Sequence, residues 1–306
     1  MTEPLYVITG ATGHVGSVIA NKLLDLKKRV RVIGRVGDRL KAFTNRGAEA
    51  AVGSLEDAGF TRKALEGANV VLAMIPSNFT VKGFRAYQNR VSDALVSAIK
   101  DNKVDYVVTV SGVGANFPEG TGPTNGLYDL EQKLNKLGMA NVLHLRCAGF
   151  MENNLLSIGM IKSMNANGAA LRPDLAIPMI ATQDIGEVAA RRLANLDFKG
   201  NSVLELLGPR DLTMNELTTV LGRAIGKPEL KYIQFSYEDF KKAMMGMGAS
   251  EDLAGLYMEM FRGLNEGKIK PTQPRSPQTT TPTTIEAFAE SVFAPAFRAS
   301  LQGPEK

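Results

Sequence analysis

The feature that most constrains this chain is a glycine run near its start, Gly10-Ala11-Thr12-Gly13-His14-Val15-Gly16, directly behind the apolar residues 5–9. An apolar run of that length, followed by closely spaced glycines, reads as a buried strand turning into a helix. Residues 17–26 carry Val18, Ile19, Leu23, Leu24 and Leu26 at the spacing of a helix packed on a sheet. A helix opening from such a turn presents unpaired backbone N–H groups and the positive end of its dipole, which together hold a pyrophosphate. The run therefore predicts a dinucleotide cradle formed by Gly10, Thr12, Gly13, His14, Val15 and Gly16. Its spacing, Gly-x-x-Gly-x-x-Gly, differs from the commonest Gly-x-Gly-x-x-Gly, so a purely structural tight turn is the competing reading.

The rest of the first half repeats the same unit. Apolar strands are expected at 29–33, 50–52, 70–75, 106–110 and 141–145, with helices at about 38–46, 81–100 and 128–137. Six continuous apolar strands separated by helices mean a parallel sheet covered on both faces. The expected fold is α/β: a Rossmann-type doubly wound parallel sheet over residues 1–150 that binds NADP. A smaller C-terminal α/β lobe over residues 151–306 would take the substrate, with some of its elements returning to the Rossmann core. Its expected elements are a helix over 185–196, a strand over 203–207, and a helix to 225 opened by the capping box Thr213-Met214-Asn215-Glu216. A methionine-rich stretch follows at 240–261, then a Pro/Thr/Gln-rich loop at 268–284 and a last helix from about 283.

With 306 residues, 44% of them hydrophobic, the chain can bury a full core. The net charge of +5 is scattered in short groups such as Lys27-Lys28-Arg29 and Arg191-Arg192. Solvated helix faces account for these, and no nucleic acid is expected as a direct partner, although a basic balance also suits an anionic ligand. One cysteine, Cys147, and two histidines, His14 and His144, support neither a disulfide framework nor a metal site. The chain enters a strand at once and holds no apolar run long enough to span a membrane, so a cytoplasmic protein without membrane association is expected. No surface segment reads as an interface, which leaves a homo-oligomer open.

The second strand ends in Gly34-Arg35, where an NAD-selective fold places an acid on the ribose diol. The acid is missing there. Arg35, with Arg39 beside it, offers positive charge to a 2′-phosphate, and the expected cofactor is NADP(H). The alternative is that both arginines are ordinary exposed residues. In such folds ligands collect outside the carboxyl ends of the strands. Gly53 and Ser54 are expected near the adenine, while Ile75, Pro76, Ser77, Ser111, Gly149 and Phe150 border the nicotinamide. For Ser77, Asn78 and Ser111 a turn or helix cap is the plainer role, and for Phe150 it is packing.

The glycine run, Arg35, and Arg146-Cys-Ala-Gly-Phe-Met-Glu-Asn153 after the sixth strand together resemble the NmrA-like group of atypical short-chain dehydrogenases. The resemblance continues through Asp184-Ile-Gly-Glu-Val-Ala-Ala190, Leu207-Gly-Pro-Arg-Asp-Leu-Thr213 and Thr283-Thr-Ile-Glu-Ala-Phe288. That family includes NADPH-dependent quinone, azo and dye reductases, phenylpropanoid reductases, and dinucleotide-sensing regulators that do no chemistry. The resemblance implies an oxidoreductase that passes hydride from NADPH to a small conjugated acceptor. The alternative it implies is a catalytically silent NAD(P) sensor that binds a protein partner.

Short-chain enzymes that reduce simple ketones use Tyr-x-x-x-Lys on the helix after the fifth strand, where lysine lowers the phenol's pKa. Here Tyr128 is followed at that spacing by Gln132, and Lys133 is one position too far to share its face. Leu127 stands four residues before Glu131, where related reductases carry lysine or histidine. Tyr128 and Ser111 remain the candidate catalytic residues, and the literal pair Tyr237 and Lys241 reads as coincidental. A quinone, azo bond, dye or enone needs no strong enzymatic acid, because it delocalises the charge it receives. The methionines, with Phe240, Tyr257 and Phe261, form either an adaptable wall for such a flat substrate or plain core. An epimerase or dehydratase would need the missing tyrosine and lysine pair. A serine hydrolase would need a nucleophile elbow, which Ser111-Gly-Val-Gly is not.

Overall fold

The computed structural model describes residues 3–302. Residues 1–2 and 303–306, which the expected lobe limits include, lie outside the described residues.

Strands β1 (Leu5–Ile8), β2 (Arg29–Gly34), β3 (Glu49–Val52), β4 (Ala68–Ala73), β5 (Tyr106–Gly112) and β6 (Asn141–Cys147) lie in parallel in the order β3-β2-β1-β4-β5-β6. They are linked through α1 (His14–Asp25), α2 (Lys41–Thr44), α3 (Ala58–Ala64), α4 (Phe84–Asp101) and α5 (Asn125–Asn135). Alternate strand residues point to opposite faces, so each strand feeds two cores. Tyr6, Ile8, Val32 and Leu72 pack against the side covered by α1. Leu5, Val7, Val71 and Val107 pack against α4 and α5 on the other side. Burial on both faces makes β1, β4 and β5 near-continuous apolar runs, whereas β2 alternates Arg29, Val30, Arg31 and Val32 and the edge strand β3 holds no fully buried residue.

Past β6 the chain leaves the sheet through β7 (Gly149–Phe150), α6 (Ile158–Met164), β8 (Ala166–Ala169) and β9 (Ile177–Ile180). It then comes back as α7 (Thr182–Asn195) and β10 (Asn201–Leu206), which pairs with β6 from Asn201 opposite Val142 to Leu206 opposite Cys147. The main sheet therefore has seven strands, one more than the six read from the first 150 residues. The reason is geometric: parallel neighbours need a crossover, and α7 supplies it by packing on α1. That contact is so close that a Cβ on Gly186 would lie 2.5 Å from the Cβ of Val18.

The remaining elements are β11 (Asp211–Leu212), α8 (Met214–Ala224), β12 (Lys231–Gln234), α9 (Tyr237–Gly246), α10 (Glu251–Asn265), α11 (Ile285–Phe288) and α12 (Ala294–Leu301). β11, β9 and β7 form a small sheet, and β8 pairs with β12. The capping box at Thr213 and Glu216 is present. The methionine-rich stretch is two helices, each capped by a serine, Ser236 for α9 and Ser250 for α10.

Carboxylates staple the two regions together. Glu152 accepts the Thr182 N–H and hydroxyl at 2.9 and 2.6 Å. Asp184 accepts the same pair of donors from Thr283, and Glu205, 1% exposed, accepts the N–H groups of Thr272 and Gln273. Glu152, Asp184 and Thr283 all lie in segments that carry the family resemblance, and all three act here as anchors. No helix among the described residues is long and apolar enough to cross a membrane.

Candidate functional site

Two cavities open along the carboxyl edge of the main sheet. The smaller, about 90 Å³, lies over the ends of β1, β2 and β3 and is lined by Gly10, Thr12, Arg35, Gly53, Ser54 and Pro76. Its floor is backbone. Gly10 has φ +64°, a left-handed conformation that favours glycine, and a Cβ on Gly16 would stand 2.2 Å from the Gly10 carbonyl oxygen. Both glycines are needed for α1 to start this close to β1. The Gly13 N–H donates to the Gly10 carbonyl at 2.9 Å, and α1 begins with no side-chain cap and no acid in its first turn. Its first N–H groups are therefore left for an anion. The Thr9 hydroxyl donates to the Leu72 carbonyl at 2.8 Å and accepts the Met74 N–H at 2.8 Å, tying β1 to β4 where the strand order reverses.

Arg35 is exposed at this cavity and makes no ion pair among the described residues. Glu56 also lines it but is held by Arg90 at 3.0 Å, so Arg35 is the cation left to face a ligand. Tyr87 closes the back, donating its hydroxyl to the Pro76 carbonyl. Of the other candidate cradle residues, Gly13, His14, Val15 and Gly16 shape the turn without lining the cavity. Arg39, exposed, and Ile75 and Ser77 line neither cavity.

The larger cavity, about 560 Å³ and mostly apolar, lies at the ends of β5 and β6 beneath α9 and α10. Ser111, Gly149 and Phe150 line it. The Ser111 hydroxyl donates to Glu131 Oε1 at 2.5 Å. Glu131 is 1% exposed and is clamped by Arg146 through two bonds, at 3.1 and 2.6 Å. With its proton committed to a charged carboxylate, Ser111 offers the cavity only lone pairs. Tyr128 lines neither cavity. On α5 it is Leu127 that faces the larger one, one turn before Glu131, and Tyr128 is rotated to the next position round the helix. Lys133 turns to α4, where its ammonium meets Asn89 at 2.7 Å and Asp93 at 2.6 Å.

The coincidental pair in α9 separates likewise: the Tyr237 hydroxyl accepts from Asn265, and Lys241 bonds Glu251. His144 is buried between Thr109 and Asn135, and burial lowers its pKa. Cys147 lines the larger cavity, and burial pushes its thiol pKa up, away from a reactive thiolate. Among the described residues, no cluster of three potential metal ligands occurs.

The methionine-rich helices divide between two roles. Met247 and Met260 line the cavity with Phe240, Tyr257 and Phe261, Met258 fills a core with Ala254, and Met244 belongs to both. Sequence reasoning missed the clamps that hold this roof in place. Asp252 accepts the Phe84 N–H that opens α4, at 2.6 Å, and Glu259 accepts the Gly122 N–H at 3.2 Å. Gly122 packs so tightly under α10 that a Cβ there would stand 2.1 Å from the Leu256 carbonyl oxygen. It also missed Phe79, Asn153 and Lys270 on the cavity wall. Asn153 ends a segment the sequence had singled out, but nothing around Phe79 or Lys270 signals a site, because they converge from distant parts of the chain.

Comparison with known proteins places this geometry in context. A model of the NmrA-like family matches residues 3–289. Prestalk A differentiation protein A of Dictyostelium discoideum is 26% identical, over 96% of this chain and 94% of that protein. The NAD(P)H azoreductase of Xenophilus azovorans is also 26% identical, over 84% of this chain and 86% of its own length. Among solved structures, the NADPH-dependent quinone oxidoreductase of Escherichia coli complexed with NADPH superposes with a TM-score of 0.80 at 22% identity. That match covers 94% of this chain and 99% of the other.

Proposed function

We propose that this chain, which belongs to the NmrA-like family, is an NADPH-dependent oxidoreductase acting on a flat conjugated acceptor such as a quinone, azo compound, dye or enone. One observation carries the reading: an apolar cavity of about 560 Å³ opens on the same edge of the sheet as the glycine cradle. A protein that only reported the dinucleotide would have no use for that second space.

The residues present fit NADPH. At Gly10 a Cβ would meet the Met74 side chain and at Gly16 the Gly10 carbonyl oxygen, so these glycines let the backbone turn tightly into α1, and Arg35 at the cavity makes no ion pair among the described residues. When bound, the cofactor supplies a hydride. In this reading the uncapped start of α1 holds the pyrophosphate and Arg35 selects the 2′-phosphate. The aromatic and methionine wall orders the acceptor and excludes water. Ser111, held by Glu131, contributes an acceptor oxygen at the boundary between cofactor and acceptor. The quinone and azo reductase names of relatives support this substrate class.

The test follows NADPH absorbance with purified protein across quinones, azo dyes, triarylmethane dyes and conjugated enones. Turnover of at least one class is expected. Tight NADPH binding without any turnover would favour a dinucleotide sensor acting through a protein partner.

A further inference from the structure

The larger cavity is lined by several hydroxyls, and most are already in use. Ser111 donates to Glu131, Ser157 to the Asn154 carbonyl, and Tyr232 to the Leu171 carbonyl at 3.0 Å. Two remain without a protein partner among the described residues, Thr124 and Tyr257. Thr124 is short and sits beside Gly112 at the end of β5. Tyr257 stands on α10 between Asp252 and Glu259, the two carboxylates that clamp the helix to the starts of α4 and α5. A phenol on a helix fixed at both sides is held in one place, and its ring is further supported by Phe261 at 6.1 Å.

We propose that Tyr257 donates a hydrogen bond to the oxygen of the acceptor, so that the cavity selects carbonyl-bearing acceptors, quinones and conjugated enones, over dyes without such an oxygen. Hydride arriving at carbon pushes negative charge onto that oxygen, and a donor aimed at it gains strength as the charge grows. Burial raises the pKa of the Tyr257 phenol, which keeps the proton on it at neutral pH. Tyr128, the candidate donor on α5, lines neither cavity, and Tyr257 fills that role from α10. The inference deepens the reductase reading and rests on it.

The experiment compares unmodified protein, Tyr257→Phe and Thr124→Val with a quinone and with a cationic triarylmethane dye that has no oxygen. In Tyr257→Phe, kcat/KM for the quinone is expected to fall about tenfold, the size of one lost hydrogen bond, while the dye changes less than about twofold. NADPH affinity and Tm stay the same, because the removed hydroxyl has no protein partner. In parallel, quinone binding to the NADP-loaded protein is measured at equilibrium and is expected to weaken by a similar factor. That arm reads the inference even if no acceptor is turned over, in which case the reductase reading alone fails. Equal losses for quinone and dye, no change in quinone binding, or a selective loss in Thr124→Val instead, would overturn the assignment.

Discussion

The two cavities lie on one edge of one sheet, yet they are built in opposite ways. The small one is built within the first third of the chain, where Gly10, Gly34 and Gly53 at the ends of β1, β2 and β3 bring backbone to its surface, with Arg35 as its one cation. The large one is made of side chains that converge from residues as far apart as Phe79, Ser111, Phe150, Tyr257 and Lys270. Backbone N–H groups bind phosphate whatever the neighbouring side chains are, so a cradle can be common to a whole family. Side-chain walls change with each substitution, so what such a pocket accepts is set residue by residue.

This contrast can be broken from either side. The largest effect is expected beneath the pocket: Arg146→Met leaves the buried Glu131 carboxylate without its partner and should cost about 3–5 kcal/mol of stability, read from denaturant unfolding. Next, Gly16→Ala forces a methyl against the Gly10 carbonyl and should weaken NADPH binding by up to about a hundredfold while leaving quinone binding intact, as calorimetry on each ligand would show. Arg35→Ala removes the one cation lining this cavity, and the preference for NADPH over NADH should fall about tenfold. Equal affinities in the unmodified protein would already defeat the role given to Arg35.

Phe240→Ala is the converse of the glycine substitution. It should raise KM for flat acceptors about fivefold with NADPH affinity unchanged. The smallest effect belongs to the seam under the pocket, where the Arg85 hydrogen bond holds Asp129 below the ordinary carboxylate range. A depressed carboxylate pKa adds stability above the unfolded value and loses it as pH falls through the folded one. The Tm difference between unmodified protein and Arg85→Met should therefore be present at neutral pH, shrink as pH falls below the usual carboxylate range, and vanish only below the lowered pKa of Asp129.

What could be read from the sequence follows the same division. The central strands β1, β4 and β5 were legible because burial on both faces makes them near-continuous apolar runs, and the cradle was legible because glycine spacing is local. Helix α3 was missed: it is only seven residues long, and its cap, Asp57, lies in a stretch with no apolar periodicity. Strand β10 was read in place, but its partner β6 lies more than fifty residues away, so its membership of the main sheet rests on tertiary pairing. Tyr257 was visible only as one aromatic among methionines. Its significance depends on which other hydroxyls are already bonded, and periodicity carries no such information.

The return of α7 and β10 to the first sheet has a consequence for the order in which the protein can be made. A ribosome releases residues 5–147 long before residues 182–206, so during synthesis β6 waits with an open edge and α1 with an uncovered apolar face. Helix α1, which opens from the cradle, gains its α7 cover only after the intervening part of the pocket lobe has also been extruded. A stalled or truncated chain ending near residue 150 should therefore be sticky and short-lived, and the two ligand sites can be expected to mature together.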